Sequence, residues 1–257
     1  MDRLYRVSDG RQPFYAVERD GQLRRATFDG DHFGARYTAG DVVAGGLQSV
    51  RVLAPVRPSK MVCVGQNYLD HIAELKKSVP TEPVLFLKPP STVLDPGRPI
   101  KLPPGVGRVD HEAELAVVIG RPAHRVARKN AWDYIFGITS VNDVTARDIQ
   151  NREVQYTRAK GFDTFAPIGP SILVGANADP RAVEGFINGQ RRQSSTTAQL
   201  IFPIDLLVEY ITFVMTLEPG DIISTGTPSG VGPLHAGDMV TVRVEGVGDL
   251  TNPVENE

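Results

Sequence analysis

Twenty-five glycines and twenty prolines are spread along 257 residues, and this punctuation constrains the fold more than any other feature of the chain. Proline removes a backbone donor and clashes with a preceding helical turn, while glycine loses the most freedom on ordering, so long regular elements are interrupted. The expectation is a loop-rich, strand-dominated α+β fold and not a regular alternation of strands and helices. Asp-Gly pairs at 9–10, 20–21 and 29–30 separate short alternating runs near residues 14–17 and 22–26, which reads as hairpins. The proline-spaced segment 54–58 then reads as a connector, dividing a small N-terminal β-rich domain (1–58) from a larger one (59–257). Runs 114–119 and 135–141 read as buried strands, 144–152 as a short helix, and 204–211 as a longer one led by Pro203. Asn67 is the expected cap of a helix over 68–77, with Asp70 three residues on and His71 and Glu74 on one face.

Composition excludes several classes. Hydrophobic residues are 41% and charged residues 23%, ordinary globular usage. Twenty-eight basic against thirty acidic residues leave a charge of -2, too balanced for the counterion release that drives nucleic-acid binding. Cys63, the single cysteine, lies in an apolar run, so it is expected as a core residue and no intrachain disulfide can form. No stretch approaches a membrane span and residues 1–6 lack the apolar block of a secretory signal, so the expectation is a cytoplasmic protein.

Chemistry enters at Asp110-His111-Glu112-Ala113-Glu114-Leu115-Ala116-Val117, where two glutamates stand two apart at the mouth of an apolar strand. Side chains alternate faces along a strand, so both carboxylates point the same way. Such a pair is either a solvated strand end or half of a chelating site. Asp143 follows a second apolar strand, and three converging carboxylates would resist joint ionisation without a cation. An all-oxygen site suits magnesium, manganese or calcium better than zinc. The run 225–232 lacks the ending of a P-loop and reads as a tight turn. Taken singly, His71, Lys88 and Lys160 read as solvated side chains, and His111 is expected to point away from Glu112.

Residues 110–120 resemble the metal-binding signature of the fumarylacetoacetate hydrolase family. Val64-Gly65-Gln66-Asn67-Tyr68, with His71 and Glu74 behind it, is similar to the family's lid motif, and Phe86-Leu87-Lys88-Pro89 to the strand that follows. Residues 142–150 resemble its second metal motif, and 160–163 and 225–232 complete the order. The resemblance implies the family's mixed β-sandwich roll, usually paired as a homodimer. It implies Glu112, Glu114 and Asp143 as ligands of Mg2+ or Mn2+, with Ca2+ accepted in a crystal. It makes His71 and Glu74 an acid-base dyad and gives Lys160 a catalytic place. Gln66, Tyr68, Arg147, Gln150 and Thr227 become substrate residues, Arg147 chiefly by pairing with a carboxylate. Gln66 stands where some relatives place arginine, and Ala198-Gln199 where a Ser-Asp pair is common, so a different distal substrate group is expected.

The activity implied is metal-dependent chemistry on a small 2-oxo or enol (di)carboxylic acid. Carbon-carbon hydrolysis or decarboxylation of acylpyruvate- or oxaloacetate-like substrates comes first. Tautomerisation of oxaloacetate, or isomerisation of 2-hydroxyhepta-2,4-diene-1,7-dioate, is the alternative. A non-catalytic binding protein on the same scaffold is the rival from another class, and the presence of both dyad and ligands speaks against it. A serine hydrolase lacks its Gly-x-Ser-x-Gly elbow here. The expected partners are a small 2-oxo acid and a second copy of the chain, with neither nucleic acid nor membrane.

Overall fold

Asp20 and Gly21 adopt φ of 50° and 73°, the positive pair with which a two-residue loop follows the right-handed twist of a hairpin. They join strands Phe14–Arg19 and Gln22–Phe28, as the Asp-Gly signal implied. The structure, a computed structural model, describes every residue except 31, 32, 34, 35, 76, 77 and 178, and the side chain of residue 75. These two strands, with Arg3–Ser8 and Tyr37–Val42, begin a long mixed sheet. Arg3–Ser8 pairs antiparallel with Ala166–Val174, placing Arg3 opposite Leu173 and Leu4 opposite Ile172, so the N-terminal strands run directly into the main sheet. The order then continues through Ile135–Asn142, Ala113–Ile119, Ile222–Ser224 and Met61–Gly65 to Val84–Lys88 at the far edge.

Ala113–Ile119 lies in the middle of this sheet and all seven of its residues are buried. Its alternation sorts two cores. Leu115, Val117 and Ile119 pack with Val183, Val242 and Leu250 of a second, five-stranded sheet and with Leu207, Val208 and Ile211 of helix Ile204–Val214. Ala116 and Val118 join Leu4, Val17, Met61, Cys63 and Ile172 in the other cluster. Cys63 is thus a core residue, and burial pushes its thiol well above the usual range. Glu114 belongs to the even-numbered set, so it enters the sheet interior as an ionisable group among apolar neighbours.

Two expected helices have different limits. The 144–152 helix begins at Arg147, because Thr145 and Ala146 first pair with Asp110 and Val109 in a small three-stranded sheet. The 68–77 helix is Leu69–Leu75, and its expected last two positions fall outside the described residues. Asn67 does not cap it. Its amide donates to the carbonyls of Phe202 at 3.1 Å and Thr225 at 2.8 Å, and its Oδ1 accepts from the Phe202 N–H at 2.8 Å. Among the described residues, no helix is long and apolar enough to cross a membrane.

The inter-sheet core should respond as a close-packed interior does. Leu207→Ala, at a fully buried position, is expected to lower unfolding free energy by about 2–5 kcal/mol. Val214→Ala, at a 61% exposed position about two turns along the same helix, should change it by less than about 0.5 kcal/mol. Equilibrium urea denaturation of both variants checks the contrast.

Candidate active site

The carboxylates converge because two neighbouring strands end together. Ala113 pairs with Asn142 across the sheet, so Glu112 and Asp143 are the next residues outward on each side. The joint is stitched: Asn142 Oδ1 accepts from the Glu112 N–H at 3.0 Å, and the Asp143 N–H donates to the Glu112 carbonyl at 2.9 Å. Glu114 lies two residues along the same strand. One carboxylate oxygen of each of the three lies within 4.8 Å of the others, and all three side chains are buried.

Their surroundings differ sharply. Lys160 donates to Glu112 Oε2 at 2.8 Å and to Asp143 Oδ2 at 2.5 Å. Lys88 donates to Asp143 Oδ1 at 2.7 Å and to the Val144 carbonyl at 3.2 Å. Arg147 bridges Glu112 Oε1 at 2.6 Å and Asp110 Oδ2 at 2.9 Å, and donates to Gln150 Oε1 at 2.5 Å. Burial would raise the Glu112 pKa, but Lys160 and Arg147 hold it well below the usual carboxylate range. Burial likewise opposes the Lys160 charge, and Asp143 and Glu112 overcome it, so its pKa is raised. Among the described residues the donors to Glu114 are neutral, Ser224 Oγ at 2.6 Å and the Gly226 N–H at 3.0 Å. Burial first, then the charges of Asp143 and Glu112, push it up to about 8. Three hard carboxylates, one of them destabilised as an anion by its like-charged neighbours, fit a divalent cation of the Mg2+ or Mn2+ kind.

Beside the carboxylates, helix Leu69–Leu75 carries the His71–Glu74 pair. Glu74 Oε2 accepts from His71 Nδ1 at 3.0 Å, a separation set by i, i+3 spacing on one helical face. The helix is fastened to the glycine-rich turn: Glu74 Oε1 accepts from the Gly230 N–H at 3.1 Å, and Asp70 Oδ2 from Ser229 Oγ at 2.9 Å. Gly226 anchors that turn at φ 103°, where an added Cβ would lie 2.8 Å from Asn67 Cβ. Only glycine accepts both the backbone angle and the close approach.

One cavity, with about 40 Å3 for solvent, collects most of the expected residues. Glu112, Glu114, Asp143, His71, Lys160, Gln66, Arg147, Gln150 and Thr227 line it, with Val64, Phe86 and Tyr156. Gln66 reaches it from φ 57°, a left-handed conformation that disfavours a non-glycine residue. Tyr68 does not line it. That residue is fully buried, with its backbone bridged to Leu200. Composition misjudged His71, Lys88 and Lys160 alike, since all three are buried, Lys88 wholly so on Asp143. Phe86 and Tyr156 were also not singled out for the cavity. They meet edge to face at 5.5 Å, and Lys160 Nζ lies 4.9 Å from the Phe86 ring centre. His111 turns to Gln193, with Nδ1 3.1 Å from Oε1.

A buried cluster of three carboxylates that could hold a divalent cation thus lies beside a histidine–carboxylate pair at the end of this mixed sheet. Residues 60–255 match the model of the fumarylacetoacetate (FAA) hydrolase C-terminal domain, and the chain belongs to the fumarylacetoacetate hydrolase family. A 5-carboxymethyl-2-hydroxymuconate delta-isomerase from Mycobacterium smegmatis is similar in structure, with a TM-score of 0.89 and 42% identity over 99% of this chain and 100% of that one. A 2-hydroxyhepta-2,4-diene-1,7-dioate isomerase from Mycobacterium marinum has a TM-score of 0.89 and 40% identity over 100% and 99%. The oxaloacetate tautomerase YisK of Bacillus subtilis is 40% identical over 223 residues, 81% of this chain and 74% of that protein.

The raised Glu114 carboxyl sets a pH dependence. Its folded-state pKa of about 8 lies above the ordinary 4.5, so without metal its contribution to stability is present at low pH and is lost as pH rises through about 8. A cation must displace that proton. Metal affinity is therefore expected to rise with pH up to about 8, with about one proton released per ion near pH 7. Calorimetry in buffers of different ionisation enthalpy measures the release; affinity independent of pH over this window contradicts the assignment.

Proposed function

We propose that this chain is a divalent-metal-dependent enzyme that moves a proton on a small 2-oxo or enol dicarboxylic acid, with keto–enol tautomerisation of oxaloacetate as its leading reaction. The observation that carries this reading is that the His71 ring and the three carboxylates line one small cavity. The three tautomerase and isomerase relatives named above, 40–42% identical, support proton transfer over hydrolysis.

In this reading Glu112, Glu114 and Asp143 hold Mg2+ or Mn2+, which when bound supplies Lewis-acid stabilisation of negative charge on the substrate's oxygens. His71 takes the proton from C3 of the keto form, and the electron pair of the broken C–H bond forms the C2–C3 double bond while the oxygen at C2 gains a proton. Glu74 fixes the ring through Nδ1 and stabilises the imidazolium while Nε2 carries the proton. Lys160, fixed by Glu112 and Asp143, presents a cation beside the substrate's oxygens, and Gln150 offers its amide. Phe86, Tyr156 and Val64 limit water. A second reading is hydrolysis of an acylpyruvate-type carbon-carbon bond, favoured by the room for a few waters that the same dyad could activate. Decarboxylation of an oxaloacetate-like acid needs no such water.

We also propose a cytoplasmic homodimer. Support comes from the sheet's far edge, where strand Val84–Lys88 ends the order with Leu87 44% exposed and the nearby Val154 98% exposed, an apolar edge that natural proteins cover.

Two measurements test these proposals. His71→Asn should leave metal affinity nearly intact and lower turnover by about two to four orders of magnitude. The assay panel is oxaloacetate, an acylpyruvate and 2-hydroxyhepta-2,4-diene-1,7-dioate, with and without chelator, and activity that survives exhaustive chelation removes the metal from the mechanism. Light scattering should give twice the chain mass at micromolar concentration, and Leu87→Lys with Val154→Lys should shift it toward monomer; a monomeric parent refutes the pairing.

A further inference from the structure

Gln193, on strand Gln190–Thr196 of the five-stranded sheet, is 1% exposed and lies behind the cavity wall. Its amide is fully used. Oε1 accepts from the Ala113 N–H at 2.9 Å and faces His111 Nδ1 at 3.1 Å. Nε2 donates to the Pro228 carbonyl at 2.8 Å and to Thr227 Oγ1 at 2.8 Å. A backbone N–H can only donate and a carbonyl can only accept, so the amide has one permitted orientation; reversed, it would set like against like at both ends. Space is reserved for it as well, since a Cβ at Gly185 would lie 2.8 Å from Gln193 Oε1.

Two consequences follow from that orientation. His111 must carry its proton on Nδ1, leaving Nε2 bare, and Nε2 is a buried atom without a partner among the described residues. Thr227 accepts from Gln193 and gives its single hydroxyl proton to the Ala113 carbonyl at 2.9 Å. One lone pair remains on that oxygen, and Thr227 lines the cavity.

We propose that Gln193 is a positioning residue that holds the Thr227 hydroxyl as an acceptor toward the cavity, so that the turn recognises a hydroxyl donor and not a carboxylate oxygen. The donor is an enolic O–H of the substrate or a water beside it, and the proposal rests on the substrate class given above. A carboxylate oxygen at that position would meet acceptor with acceptor at low dielectric.

The first test needs no activity. Ring 15N–1H correlations of His111 in the intact protein should show the Nδ1-protonated neutral tautomer; an Nε2-protonated ring overturns the amide orientation and the proposal with it. The second uses whichever 2-oxo or enol acid the protein turns over. Gln193→Met and Thr227→Val are each expected to lower kcat/KM about 10- to 100-fold, the scale of one lost hydrogen bond to a reacting ligand. Mn2+ affinity should hold, Thr227→Ser should recover most of the loss, and the double variant should be no worse than the weaker single. Losses that multiply in the double variant, or full activity in Gln193→Met, overturn the proposal. A raised KM for the enol assigns the donor to substrate, and a lowered kcat confined to hydrolysis assigns it to water. If no 2-oxo acid is turned over, the proposed function fails while the tautomer result still decides the place of Gln193.

Discussion

Everything in the site depends on three carboxylates kept out of water within 4.8 Å of one another. Desolvating an ion of this size costs several kcal/mol even after the protein relaxes, and like charges add to it. Two buried lysines and Arg147 offset that cost for Glu112 and Asp143. Removing one partner from such a buried pair costs about 3–5 kcal/mol, whereas an exposed pair such as Arg243 with Asp249 contributes about 0–1 kcal/mol. Lys88 and Lys160 therefore stabilise the site to a degree that surface pairs do not.

The compensation is lopsided, and the lopsidedness is chemical. Glu112 and Glu114 are two residues apart on one strand, yet one is driven to ionise and the other to hold its proton. The cations stand on the Glu112 side, while Glu114 reaches the turn side, where a serine and a backbone amide can donate but cannot neutralise. A position left short of one positive charge is what a divalent ion supplies. The turn that carries the Gly226 donor also holds Asp70 and Glu74, so helix Leu69–Leu75 is oriented by the same backbone.

Much of this was legible in the chain because it is local. Period-2 alternation put Glu112 and Glu114 on one face, and i, i+3 spacing put His71 beside Glu74, both of which the structure retains. The glycine and proline spacing likewise implied strands over helices. What failed to show was long-range. Asn67 precedes a helix and carries a capping side chain, but its amide is taken by Phe202 and Thr225, 135 and 158 residues away. The start of the 147–152 helix is delayed by pairing with strand Val109–His111, which no local pattern in 144–146 announces.

Lys88 was misread because its burial is set by long-range pairing. Side-chain type predicts burial only on average, and a lysine is ordinarily exposed. Lys88 is inside because strand Val84–Lys88 pairs with Met61–Gly65, which brings its end to Asp143, a carboxylate that arrives from the other side of the sheet. Tyr68, expected at the substrate, follows Asn67 and is fully buried without lining the cavity. The reaction is harder still to read, because tautomerisation and hydrolysis call on the same ligands and the same dyad. In the proposed reading they differ in whether a water stands beside His71, in a cavity whose wall Phe86, Tyr156 and Gln66 share, residues drawn from three separate segments whose meeting is a property of the fold.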